Sequence, residues 1–174
     1  MSNLFEAYLG AKKEWKELDA LVKQQLSPLS VTGLTEQAKA LLVARFCQKN
    51  KTGAMVVCDS DYTARLFCED IRFFLGKESI YYPSKEIEYY KVDAKSNELE
   101  AQRLAALGRL AEEGDEAVLV LGTDALLQFA ADFNAFKQSR ITIVDGESYN
   151  VTELLGQLEA MGYVREEMVE AKGQ

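Results

Sequence analysis

The sequence contains no histidine, two prolines, three cysteines and one tryptophan, and each shortage removes a class of function. Without histidine the commonest general base near neutral pH is missing, as are the commonest metal ligand and the Ser–His and Cys–His nucleophile pairs. Cys47, Cys58 and Cys68 are odd in number, sit among apolar neighbours and lack CxxC spacing. That pattern fits reduced thiols used as small hydrophobes, not a disulfide framework or a redox pair. No apolar run is long enough to span a bilayer, so no membrane partner is expected. The opening Met1-Ser2-Asn3-Leu4-Phe5-Glu6 has no basic stretch followed by an apolar core, which argues against a secretory signal and for the cytoplasm. Basic residues do not cluster beyond Lys12-Lys13, and the net charge is −8. A phosphate-backbone binder needs clustered cations, so no direct DNA binding is expected.

What is present suits a globular protein. Across 174 residues, 48% are apolar and 28% charged, enough for one domain, or for one domain and part of another. Residues 4 to 26 carry Leu4, Phe5, Tyr8 and Leu9, then Trp15, Leu18, Leu21, Val22 and Leu26 at helical spacing, with Gly10 as a break. Trp15 reads as the residue that packs this arm onto the domain. Ala54–Cys58, Ser79–Pro83 and Val118–Leu121 are short apolar runs of the kind found in buried parallel strands. Between them lie helical stripes: Ala64, Phe67, Cys68, Ile71, Phe74 and Leu75, entered at Asp59-Ser60-Asp61 and closed by Gly76, then Leu99, Leu104, Leu107 and Leu110, entered at Ser96 and closed by Gly114. Thr123 or Asp124 is expected to cap a short helix with Leu126 and Leu127. Strand and helix alternate, so the fold class is α/β, a doubly wound and mostly parallel sheet flanked by helices.

From Arg140 the pattern changes. Arg140–Val144 alternates like a half-exposed strand and ends at an Asp145-Gly146 turn. Asn150 and Glu153 open a helix with Leu154, Leu155, Leu158 and Met161, stopping at Gly162. Val164–Val169 reads as a last strand. Residues 139–174 thus look like the start of a smaller α+β module, too short to be a domain, following a first domain over 1–138. This apolar helix face is expected to fold back on the first domain or to be buried against a neighbour.

The stretch that organises the chain runs from Leu29 to Gln37. A short β-like run turns at Gly33 and opens into a helix, where a nucleotide-binding domain keeps its phosphate loop. A working loop has the spacing Gly-x-x-x-x-Gly-Lys-Ser/Thr, which supplies bare backbone N–H groups, one cation and a hydroxyl for Mg²⁺. On that spacing the first Gly falls on Ser30, the second on Thr35, the Lys on Glu36 and the Ser/Thr on Gln37. Only Gly33 is of the expected kind. One charge pair about 4 Å apart at an effective dielectric of about 20 is worth roughly 4 kcal/mol, so a Lys-to-Glu exchange swings up to about 8 kcal/mol. A micromolar ligand has only about 8 kcal/mol in total. An ordinary strand–turn–helix accounts for the same residues; on either reading the loop binds ATP poorly, and no catalytic residue, cofactor or metal is expected.

Several stretches together resemble the N-terminal region of the bacterial transcription-repair coupling factors. They are Val31-Thr32-Gly33-Leu34, Val56-Val57 with Ala64-Arg65-Leu66 and Asp70–Gly76, and Tyr82-Pro83 with Glu86 and Tyr89. Further on come Glu98 with Gln102-Arg103-Leu104 and Leu107, Thr123–Gln128, and Leu158–Tyr163. Each is weak alone; their order and spacing are specific. The resemblance implies a RecA-like first domain, similar to the excision-repair protein UvrB with its ATPase motifs degenerated. It implies that the segment from 139 opens the module that binds the repair protein UvrA, with the family's Arg-Gly-Gly segment and main contact residues falling after Gln174. Its implied role is non-catalytic: recruiting UvrA to stalled RNA polymerase and contacting other domains of a parent DNA translocase. Ile87-Glu88-Tyr89-Tyr90 departs from the family's usual Pro-Tyr-Asp. Two other readings remain open at this point, a nucleotide-binding piece of a UvrB-like helicase and an unrelated α/β interaction domain.

Overall fold

A computed structural model describes residues 12–85, 98–130 and 132–164. The chain order is α1 (Lys13–Lys23), α2 (Glu36–Asn50), β1 (Ala54–Cys58), α3 (Asp61–Leu75), β2 (Ile80–Tyr82), α4 (Glu98–Glu113), a 3-10 turn (Gly114–Glu116), β3 (Val118–Gly122), α5 (Thr123–Leu127), α6 (Phe133–Gln138) and α7 (Val151–Ala160). Leu4, Phe5, Tyr8, Leu9, Gly10, residues 86–97 with the Ser96 cap, and the strand expected after Val164 fall outside the described residues.

The three apolar runs form one parallel sheet in the order β1-β3-β2. The register aligns Val56, Val120 and Tyr81 in one row and Met55, Leu119 and Ile80 in the next. Neighbouring rows point to opposite faces. On the first face α2 and α3 pack through Ala40, Ala44, Cys47, Ala64, Phe67 and Ile71 onto Val118 and Val120. Three of those contacts are alanines, and small side chains let the two helices and the sheet approach closely. On the second face α4 brings Ala106, Leu107 and Leu110 against Ile80, Tyr82, Leu119 and Leu121. The central strand is therefore covered from both sides, with Val118 and Val120 fully buried, as a continuous apolar run requires.

Glycine is needed where β1 begins. A Cβ on Gly53 would lie 2.1 Å from the Ala117 carbonyl oxygen. The chain needs that close approach because the Gly53 N–H donates to the Asp115 carbonyl at 2.6 Å.

The helix ends follow the signals in the sequence. Ser60 caps α3 in a reciprocal capping box with Thr63, and Gly76 ends it in the left-handed conformation at φ 73°. Asn150 caps α7 by accepting the Thr152 and Glu153 N–H groups. Three expectations need correction. Leu29–Val31 is not a strand; among the described residues it joins no ladder, and the sheet's first strand is β1. Arg140–Val144 is not a strand either. Alternation favours β backbone, but a strand exists only with a neighbour to complete its ladder. Here Arg140 pairs with Glu112 at 2.5 Å instead, and the Val144 N–H donates to the Tyr149 hydroxyl. The cap of α5 is neither Thr123 nor Asp124 but Gly122, and the Thr123 hydroxyl donates to the Asp59 carbonyl.

Candidate functional site

The loop read as a phosphate site leads into α2, and its geometry follows from how that helix starts. Thr35 takes extended backbone as N-cap, and its Oγ1 accepts the Ala38 N–H at 3.3 Å. The cap thus engages one of the orphan N–H donors that an anion would otherwise meet. Glu36 opens the helix and pairs with Lys39 at 2.6 Å, one turn on. Its negative charge stabilises the positive end of the helix dipole. Gly33 stands at φ +78° with open space where a Cβ would be, so it serves the turn and not a close approach. Ser30, Gly33, Thr35, Glu36 and Gln37 are all exposed.

Beside the loop lies a groove of about 360 Å³ lined by Trp15, Leu18, Leu21, Val31, Leu34 and Leu42. Its charged lining residues are Glu14 and Glu17, with no Lys or Arg. An apolar wall with two carboxylates does not attract a triphosphate. Arm and domain are held together on the neighbouring side. Asp19 accepts from Arg45 at 3.0 Å and pairs with Lys49 at 2.6 Å, and the Arg45 guanidinium lies 5.3 Å from the Trp15 ring centre. Trp15 therefore packs the arm, as the sequence indicates. Burial would push the Asp19 carboxyl up, but the Lys49 and Arg45 hydrogen bonds outweigh it and hold the group below its ordinary value.

The carboxyl ends of the strands, where α/β sheets usually hold ligands, are also acidic. The Asp59 carboxyl is held below its ordinary value first by the Thr63 hydroxyl and further by Ser60. Asp61 accepts from the Ser84 N–H at 2.9 Å and the Ser84 hydroxyl at 2.5 Å, tying the start of α3 to the end of β2. The Cys58 thiol is pushed up, mainly by burial and further by Cys68, Asp59 and Glu36, with Lys39 opposing. Glu36 and Asp59 therefore both act at the end of β1. Among the described residues, no group of three or more acidic or cysteine side chains is placed to hold a metal.

Arg103 stands in the sequence only within the Gln102-Arg103-Leu104 resemblance, with no structural role attached to it. It is 4% exposed, sits over the Tyr82 ring at 4.2 Å, and donates to the Pro83 carbonyl at 2.7 Å and to Gln128 Oε1 at 3.3 Å. It ties α4 to the end of β2 and to the segment after α5. Its place among Leu99, Leu104 and Leu107 on the helix is the signal that was available.

No protein-family model matches the chain, and no solved structure matches it. Among curated proteins, it is similar to the transcription-repair-coupling factor of Staphylococcus haemolyticus, 27% identical over the whole chain. The proteins of the same name from Staphylococcus epidermidis and Staphylococcus aureus are 25% identical over the whole chain and 26% identical over 83% of it. The chain spans about 15% of the length of the first of these relatives. Among the described residues no helix is long and apolar enough to cross a membrane. The resemblance carried by the scattered motifs thus holds from end to end: this chain is similar along its whole length to the transcription-repair-coupling factors.

Proposed function

We propose that this chain is a non-catalytic, N-terminal part of a transcription-repair coupling factor that helps recruit UvrA to stalled RNA polymerase. The observation that carries this reading is the similarity to coupling factors over the whole chain. On this reading residues 1–138 are a RecA-like domain with a degenerate phosphate loop, and residues 139–174 open the UvrA-binding module. The closed start of α2, with Thr35 on its own helix and Glu36 on Lys39, supports a scaffold over a nucleotide-driven part. So does α7, which has no fully buried residue and leaves Leu155 46% exposed. Among the described residues Leu154, Leu158 and Met161 are only half-buried, which favours the second of the two fates expected for this apolar face, a partner surface.

Hydrogen exchange of the whole chain with and without excess UvrA tests both halves of the proposal. Because the resemblance places the main contacts after Gln174, slowed exchange should be slight at excess UvrA and confined to residues 141–164, with α2, β1 and α3 unchanged. No change anywhere would sink the UvrA reading; protection only within residues 12–130 would sink the division of labour.

A further inference from the structure

Pro83, Ser84 and Lys85 follow β2, and each is held by a side chain from another element. The Pro83 carbonyl accepts from Arg103 of α4 at 2.7 Å. Ser84 donates its N–H and its hydroxyl to Asp61 Oδ2 of α3, at 2.9 and 2.5 Å. Lys85 donates its N–H to Gln128 Oε1 at 2.5 Å, and its carbonyl accepts from Gln128 Nε2 at 2.9 Å. Gln128 stands at the end of α5. Its amide meets Lys85 as the backbone of a neighbouring strand would, with one acceptor and one donor. Strand β2 ends at Tyr82, but these side chains carry its hydrogen bonding three residues further.

The contacts depend on one another. Arg103 Nη1 reaches Gln128 Oε1 at 3.3 Å as well as Pro83, and Nη2 reaches the Phe129 carbonyl at 3.5 Å. Gln128 Oε1 therefore faces two donors, while Nε2 faces an acceptor. An amide turned the other way would set donor against donor at Arg103 and at the Lys85 N–H. Arg103 thus fixes the orientation in which Gln128 holds Lys85. Asp61 engages Ser84 through Oδ2; among the described residues its Oδ1 is buried without a hydrogen-bond partner. That oxygen lies against the end of β3, where a Cβ on Gly122 would stand 2.7 Å from it. Losing Ser84 would leave the whole carboxylate without its donors, and an unmet buried acceptor is costly.

We propose that residues 83–85 and Gln128 form one strap that opens and closes as a unit, coupling the chain that leaves β2 to the chain that leaves α5. The first leads into residues 86–97, the second into α6 and α7. A displacement imposed on the segment after α5 is thereby transmitted to the carboxyl end of β2. Such coupling requires an element with two discrete arrangements that both segments bias. The closed arrangement is the set of bonds above. In the open one Ser84 and Lys85 are released together, because Ser84 lies between the two residues that Arg103 and Gln128 hold.

Native-state hydrogen exchange, read residue by residue on the whole chain in increasing urea, tests the strap. The Ser84 and Lys85 amides should share one protection factor and one urea dependence. That dependence should be shallower than the one for Val120 in the central strand, the mark of a local unit as opposed to global unfolding. Gln128→Met keeps the length of the side chain and removes the amide. It should lower the protection of both amides by the same factor, at least about tenfold, although Ser84 bonds to Asp61 and not to Gln128. Faster exchange at Lys85 with Ser84 unchanged would mean independent contacts and would overturn the proposal. Protection of Ser84 and Lys85 that differs in the unaltered chain, or that falls with urea as steeply as at Val120, would also overturn it. The urea series on the unaltered chain decides the matter even where the Met variant fails to fold.

Discussion

Replacing Arg103 should cost more stability than replacing any exposed charge on the protein. Its guanidinium is buried, donates to the carbonyl of the fully buried Pro83, and lies over Tyr82. A hydrogen bond from a charged donor is worth about 1.5–3 kcal/mol, and its loss leaves a buried acceptor unmet. A desolvated cation–π contact adds about 1–2 kcal/mol. Arg103→Ala removes both and opens a void, for a loss of about 3–5 kcal/mol. Arg103→Met keeps the apolar stem and should lose about 2–3 kcal/mol on the same figures. Arg103→Lys keeps the charge and one donor but not the planar fork, and should lose about 1–2 kcal/mol. In urea unfolding with a slope of about 2 kcal/mol/M, the Ala midpoint should fall by about 1.5–2.5 M with the slope unchanged. Variants within about 1 kcal/mol of the parent, or a Met variant as costly as Ala, would show that the guanidinium does not tie β2 to α4.

Two further substitutions probe the frame. Gly53→Ala should shift or unfold the β1–β3 pairing, because its Cβ would meet backbone 2.1 Å away; a fall in melting temperature with lost protection of the Ala54 amide is the expected sign. Asp19→Asn should cost about 1 kcal/mol near neutral pH, through the Arg45 and Lys49 pairs. Since the Lys49 and Arg45 hydrogen bonds hold the folded Asp19 carboxyl below its ordinary value, its contribution is fully present above the ordinary carboxylate range and is lost as pH falls through the folded pKa. Acid unfolding curves of the Asn variant should therefore be flatter below about pH 4 than those of the parent; equal slopes would refute the assignment.

How much of this was legible from sequence differs by element. Val118–Leu121 reads as buried because it is apolar without alternation, and the strand is covered on both faces, Val118 and Val120 on one and Leu119 and Leu121 on the other. The ends of α3 were readable because Ser60 and Gly76 act locally, within one turn. Arg140–Val144 and Leu29–Val31 were misread for the opposite reason. Their composition suits a strand, but strand formation depends on a distant partner that a local pattern does not reveal. Helix α6 was not anticipated, although Asp132 caps it by accepting the Asn134 and Ala135 N–H groups; six residues are too few to show a helical period. In the loop read as a phosphate site, the absence of Lys and Ser/Thr was plain at Glu36 and Gln37. What the sequence did not show is that Thr35 and Lys39 close the helix start from within.

Titration of the whole chain with Mg-ATP by calorimetry tests the closed helix start most directly. Thr35 bonded to Ala38, Glu36 holding Lys39 in an ion pair, and the carboxylate of Asp59 at the end of β1 all oppose a phosphate at this helix start. No heat of binding is expected. A dissociation constant below about 100 µM, equivalent to roughly 5.5 kcal/mol, would contradict the reading of this chain as a scaffold without nucleotide.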